Sequence, residues 1–324
     1  MSGPFFVWSN GRGYDPIMWI SIILSALLAA TPTAATPVTS TPLNAVQDRA
    51  PAIVGRLERY SDFPSEYVSA RNVQVWLPPS YDADRTQRYP VLYMHDGQML
   101  WDATTTWNHQ SWDVDDVMTR LIQSGEIREA IVVGIDNSPQ RFAEYMPRKA
   151  IAGPVRGLPD QPLMKPVDIQ SDAYLQFLVR ELKPFVDGHY RTRRGAADTM
   201  IAGSSMGGLI SLYAMTQYPK VFGGVAAIST HWPAGEGAMV NYLARHLPSP
   251  RDHRVYFDHG TATLDAQYAP YQQRTDAVMR NRGYRCGENW LSKTFDGADH
   301  SETAWNQRLD VPLRFLLGKQ LTRC

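Results

Sequence analysis

The stretch Met200-Ile201-Ala202-Gly203-Ser204-Ser205-Met206-Gly207-Gly208-Leu209 constrains this chain more than any other. Gly203 to Gly207 fits G-x-S-x-G, a strand-to-helix turn so tight that a side chain two positions before or after the serine would collide with the neighbouring strand or helix. Such a turn holds the serine oxygen clear of the backbone at the end of a parallel sheet, which makes Ser205 the candidate nucleophile. The flanks agree with it. Thr199 to Ala202 is strand-like, and Leu209 to Met215 is helix-like, leading to Tyr218-Pro219 where the proline ends the helix. No Lys-Ser/Thr pair follows the glycines and no G-x-G-x-x-G is present, so a phosphate-binding loop is excluded.

Strand and helix signals alternate along the chain. Val73, Val75 and Leu77 alternate with Asn72, Gln74 and Trp76, the period of a half-buried strand, and Pro78-Pro79 closes it. Tyr89 to Met94 and Ala130 to Ile135 are uniformly apolar, as central parallel strands are. Further strands are expected near 225–228, 255–257 and 290–295. Helices are expected from a cap at Asp113 to about Ser124, from 172 to 187 with a bend at Pro184, and near 239–245, 271–282 and 302–317. Strands separated by helices imply an α/β fold, a mostly parallel central sheet with helices on both faces and an antiparallel opening strand.

Two connections are long for such a fold and invite function. The first, His95 to Trp112, carries Trp101, Trp107 and Trp112. The second, Asn137 to Gln170, is rich in proline. Both follow the carboxyl ends of strands, where open α/β sheets bind ligands, and both are expected to roof the serine.

A serine hydroxyl needs a base, usually a histidine. Of eight histidines, His300 lies just beyond the last strand at the start of the terminal helix, where the chain order serine, acid, histidine delivers it. His95, His109, His231 and His259 are candidates for the mouth of the site. The acid belongs after the strand ending at Phe257. Asp258 and Asp265 both qualify, and Asp265 is preferred because a loop can swing its carboxylate toward the imidazole. The oxyanion donors expected are the backbone N–H of Met206 and that of Gln98 or Gly97. Arg141 is positioned to hold an anionic or carbonyl group of the substrate, or to pair with Glu144. Trp112, Tyr145, His231 and Trp232 complete the expected substrate contacts, alongside Gly97 and Arg141. No ligand spacing suggests a metal, and no cofactor is expected.

Composition sets the outer limits. The 324 residues are 44% hydrophobic, enough for one large core, and the formal net charge of zero gives no electrostatic hold on nucleic acid or an anionic membrane. Ile17 to Ala30 is apolar over a length that suits a signal h-region and falls short of the ~20 residues of a membrane span. Residues 1–45 are thus read as a signal peptide followed by a Thr/Pro/Ala-rich spacer, and 46–324 as one domain. The mature protein is expected outside the cytoplasm, periplasmic or secreted, without stable membrane association. Its two cysteines, Cys286 and Cys324, permit one bridge, and the elements that carry them place both at the sheet edge away from the serine.

From Arg56 to Leu317 the chain resembles the "Putative esterase" family of α/β-hydrolases, which includes siderophore esterases, feruloyl esterases, esterase D and mycolyltransferases. The resemblance rests on Tyr93 to Gln98, Asn137 to Pro147, Gly203 to Gly208, Gly260-Thr261 with Asp265, and Gly297 to His300 followed by Trp305. It implies Ser205 as nucleophile, His300 as general base and acid, and Met206 with Gln98 as oxyanion donors. The partner implied is a small-molecule ester, with sugar-linked, hydroxycinnamoyl or siderophore-type esters as the expected classes. An acyltransferase using the same triad, or a catalytically silent ligand-binding relative, are the alternatives.

Overall fold

The computed structural model describes residues 46–47, 53–151 and 167–319. The expected signal and spacer, and part of the second long connection, lie outside the described residues.

The backbone builds one nine-stranded sheet. In chain order the strands are β1 (Val46–Gln47), β2 (Arg56–Phe63), β3 (Arg71–Leu77), β4 (Val91–His95), β5 (Ile131–Ile135), β6 (Thr199–Ser204), β7 (Gly224–Ile228), β8 (Arg254–Gly260) and β9 (Trp290–Phe295). Their spatial order is β1-β2-β3-β5-β4-β6-β7-β8-β9, with β5 to β9 parallel and β1, β2 and β3 entering by antiparallel pairings. The helices are α1 (Val114–Gln123), α2 (Arg141–Tyr145), α3 (Ser171–Gln176), α4 (Lys183–His189), α5 (Met206–Gln217), α6 (Ala238–His246), α7 (Ala269–Asn281), α8 (Glu302–Asn306) and α9 (Asp310–Leu317).

Alternation along each strand divides the apolar residues between two cores. Tyr93, Val133, Ile201, Val225 and Phe257 pack on one face with α5 and α6, while Leu92, Val132, Met200, Ala226 and Tyr256 pack on the other with α1 and α9. Every residue from Met206 to Met215 is buried, so α5 is apolar all round and lies inside the protein. Because both faces of the sheet are covered, β3 is not half-buried as its alternation predicts: Gln74 and Trp76 are as enclosed as Val73 and Val75.

Other departures have local causes. Asp113 precedes α1 but sits in a left-handed conformation (φ 45°) and caps nothing with its side chain. Instead its carboxylate accepts from Ser111 and from Asn306. The helix expected over 172–187 contains a π-helical stretch, Phe177–Leu182, between α3 and α4. Pro184 would clash with the carbonyl four residues back in a regular helix, and the wider turn relieves that. The terminal helix is split into α8 and α9, with Pro312 in the first turn of α9, where its missing N–H costs least. Strand β8 runs on to Gly260, which puts Asp258 inside the strand. Cys286, beside β9, is disulfide-bonded; Cys324 lies outside the described residues.

Candidate active site

Ser205 joins β6 to α5 with φ 56° and ψ −121°, a conformation that costs a non-glycine residue of order 1–3 kcal/mol and persists only where the surroundings hold it. Three contacts hold it here. Its N–H donates to the Ile228 carbonyl (3.0 Å), and its carbonyl accepts from Gly208 N–H (3.1 Å) and His231 N–H (3.1 Å). A methyl at Gly203 would lie 2.9–3.0 Å from the backbone of Gly207, so the turn closes only with glycine there. The first two N–H groups of α5, those of Met206 and Gly207, have no carbonyl within the helix to serve and form a positive lip beside the serine.

The loop after β4 forms the other side. Asp96 is left-handed (φ 57°) and receives both Nε (2.7 Å) and Nη2 (2.8 Å) of Arg141, with Asn137 Nδ2 at 2.7 Å. Burial opposes ionisation of Asp96, but the Arg141 guanidinium outweighs it and holds the carboxyl below its ordinary range. Arg141 is therefore committed to Asp96 and not to Glu144, which pairs with buried Arg71 at 2.7 Å. Gln98 accepts the Asn137 N–H through Oε1 (3.1 Å), a second tie between the two long connections. Gly97 packs so tightly on β5 that a methyl would stand 2.6 Å from Ile135 N, leaving it a backbone role only.

Across the site, His300 Nδ1 meets Asp265 Oδ1 at 2.6 Å. Asp265 is fully buried in a short 3-10 turn, Thr263–Gln267, and its Oδ2 also accepts from Gly260 N–H (2.6 Å) and Ser229 Oγ (2.5 Å). Burial raises its pKa, but the hydrogen bonds from His300, Ser229 and Gly260 together bring it below the usual carboxylate value. With Nδ1 engaged, the His300 Nε2 is the ring nitrogen left for chemistry. The ring is packed edge-on by Trp305 (centroids 4.9 Å) and Tyr268 (5.9 Å). Asp258, the competing acid, is turned toward Arg308 (3.2 Å) and Tyr256 Oη (2.9 Å).

The remaining expected contacts divide sharply. Tyr145 and Trp232 are 0% exposed and present no surface to a substrate. Tyr145 lies under the Arg141 guanidinium, and Trp232 donates to Gln272 Oε1 (3.1 Å). Trp112 is 3% exposed and stacks on Trp305 (5.2 Å), bracing the ring that braces His300. These three are supports rather than substrate contacts. Their apolar bulk at the carboxyl edge of the sheet outweighs the loop position that suggested otherwise. His231 is next to Ser205 through its N–H, and its Nδ1 lies 2.7 Å from Tyr268 Oη. Burial, with the nearby positive charges of His300 and Arg141, lowers its pKa to about 4, so it is neutral at physiological pH. His95, hydrogen-bonded to Tyr174 Oη (2.9 Å), is likewise lowered to about 3 by burial. Ser229, Tyr268 and Arg308 had no sequence signal of their own: each is an isolated polar residue whose partners lie far along the chain.

Comparison with known proteins follows the same outline. The Bacillus subtilis (strain 168) protein YbbA, itself uncharacterized, is 26% identical over half of this chain, a match that spans 58% of YbbA. A ferulic acid esterase structure superposes with a TM-score of 0.59 at 23% identity, covering 81% of this chain and 97% of the other. The enterobactin esterase FES of Shigella flexneri gives 0.59 at 22%, covering 82% of this chain and 60% of its own length. At these identities the structures speak for the fold. A family model described as "Putative esterase" matches residues 65–316. That span exceeds half of the chain, and the protein belongs to the "Putative esterase" family, as a carboxylic ester hydrolase built on the α/β-hydrolase fold.

Proposed function

We propose that the protein is an exported serine esterase whose triad is Ser205, His300 and Asp265, acting on esters of hydroxyaryl acids, free or sugar-linked. Ser205 Oγ attacks the ester carbon while His300 Nε2 takes its proton, and the oxyanion that forms is met by the N–H groups of Met206 and Gln98. The imidazolium then gives the proton to the departing alcohol, and water, activated by the same nitrogen, releases the acid and restores the serine.

The observation that carries this reading is the 2.6 Å hydrogen bond from His300 Nδ1 to Asp265, on the same rim as a serine in the strained strand-to-helix conformation. The substrate class is supported by the names of the structures similar in fold, a ferulic acid esterase and an enterobactin esterase. It is supported as well by Trp107, which is 81% exposed on the loop after β4 and offers an aromatic face. Export is supported by the disulfide at Cys286, a bond typical of oxidising compartments.

Hydrolysis of p-nitrophenyl acetate, methyl acetate, methyl ferulate and feruloyl-arabinose by wild type and Ser205→Ala is the test. The variant is expected to lose at least about 10³-fold in kcat, and equal rates would overturn the triad. Methyl ferulate turned over no faster than methyl acetate, which shares its leaving group, would overturn the substrate class, and an unprocessed amino terminus in the cytoplasmic fraction would overturn export.

A further inference from the structure

Ser229 follows β7 in a left-handed conformation (φ 40°), fully buried, where a non-glycine residue is unfavourable. Its hydroxyl has three neighbours: Trp305 Nε1 at 3.0 Å, Arg308 Nη2 at 2.7 Å and Asp265 Oδ2 at 2.5 Å. Indole and guanidinium can only donate. Both lone pairs of the Ser229 oxygen are therefore filled, and its single proton has one destination, Asp265. The orientation of this hydroxyl is fixed by the count of donors and acceptors, with no alternative arrangement to compete.

We infer that Ser229, locked by Trp305 and Arg308, is a positioning residue that sets the carboxylate of Asp265 for His300. The inference rests on the triad proposed above and adds to it. Asp265 Oδ2 is pinned from two sides, by Ser229 and by Gly260 N–H, which leaves Oδ1 alone to face the imidazole. The same hydroxyl anchors Trp305, whose ring lies against His300, so one oxygen fixes both the acid and the wall of the base. Arg308 also reaches Asp258 at 3.2 Å and approaches Asp265 at 3.8 Å. Two buried carboxylates thus share one guanidinium. An imidazolium formed at His300 when Ser205 gives up its proton adds a positive charge beside them. The backbone strain at Ser229 is held by its N–H, which donates to the Asp258 carbonyl at 2.9 Å.

Ser229→Gly tests this, since glycine accepts the positive φ while Cβ and the hydroxyl are removed together. The variant is expected to keep KM within about twofold and lose about 10–10²-fold in kcat on p-nitrophenyl acetate, less than the ~10⁴ that follows a wrong imidazole tautomer. The downfield proton resonance of His300 Nδ1 should move or broaden. Trp305→Phe keeps a ring beside His300 but frees one lone pair of Ser229, and is expected to lose about threefold to tenfold in kcat. That variant decides the matter if Ser229→Gly does not fold. Wild-type kcat with an unmoved Nδ1 resonance in either folded variant would overturn the inference. Ser205→Ala, run in parallel, separates the two failures: if it retains full activity, the triad itself is at fault.

Discussion

Asp265 holds His300 Nδ1 at 2.6 Å, whereas Asp258, equally buried in β8 just before the turn that carries Asp265, is held by Arg308. Substituting each by asparagine separates orientation from stability. Asp265→Asn is expected to lower kcat by about 10³–10⁴ with a modest change in melting temperature, because the amide favours the wrong imidazole tautomer. Asp258→Asn leaves Arg308 with a weakened partner and is expected to cost up to about 3 kcal/mol of stability, as broken buried pairs do. Steady-state kinetics and urea titrations on both variants check the assignment, and a larger kcat loss in Asp258→Asn would reverse it.

Arg141 grips Asp96 through two nitrogens in a geometry that lysine cannot copy. Arg141→Lys is expected to lower kcat by about tenfold, since the loop bearing Gln98, the proposed second oxyanion donor, is no longer held in register. Arg141→Leu, which strands a buried carboxylate, is expected to cost about 3 kcal/mol besides. Thermal melts beside kinetics distinguish the two effects, and unchanged kcat in a folded Arg141→Lys would refute the role.

Gly260 ends β8 so close to the carbonyl of Ala298 that a methyl group would overlap it, and its N–H donates to Asp265. The obstacle is backbone and cannot swing away. Gly260→Ala is expected to destabilise the protein by more than about 4 kcal/mol, among the largest single-site effects. A soluble Gly260→Ala protein melting within a few degrees of wild type would contradict this packing.

Asp136, at the end of β5, accepts from Gln74 Nε2 (2.8 Å), yet burial raises its pKa to about 6. The folded value exceeds the unfolded value near 3.9, so the native state binds this proton more tightly and loses stability as pH rises from about 4 through 6. Asp136→Asn removes the titration. Its melting temperature is expected to match wild type near pH 4 and exceed it at pH 8, by an amount worth at most about 3 kcal/mol. A gain confined to pH 4 would reverse the sign and refute the assignment.

Much of the architecture was legible in the sequence because it depends on local signals. The glycines around Ser205, the uniformly apolar runs of β4 and β5, and the late position of His300 each speak for themselves. Strand β2 gave no clear signal: Arg56, Glu58, Arg59, Ser61 and Asp62 mask its period, and it is held in place by pairing with β3. The polar frame behind the acid was illegible for a different reason. Ser229 and Arg308 meet Asp265 and Trp305 only after β7, β8 and the terminal helices have packed, and nothing in the sequence singled out the first two. Aromatic residues misled, since Trp112, Tyr145 and Trp232 sit in loop sequences yet are wedged beneath the rim. Loop location says where a backbone runs, and size decides where a side chain goes.

The clasp between Asp96 and Arg141, doubled by Gln98 and Asn137, also bears on how this enzyme can be re-engineered. A chimera that imports only one of the two segments would separate a carboxylate from its guanidinium and a carbonyl acceptor from its amide. Such a hybrid would lose the shape of the entrance before any new selectivity could emerge. Exchanging 95–98 and 137–141 together as one cassette preserves the mutual fit, so directed libraries over this rim should vary the two segments jointly.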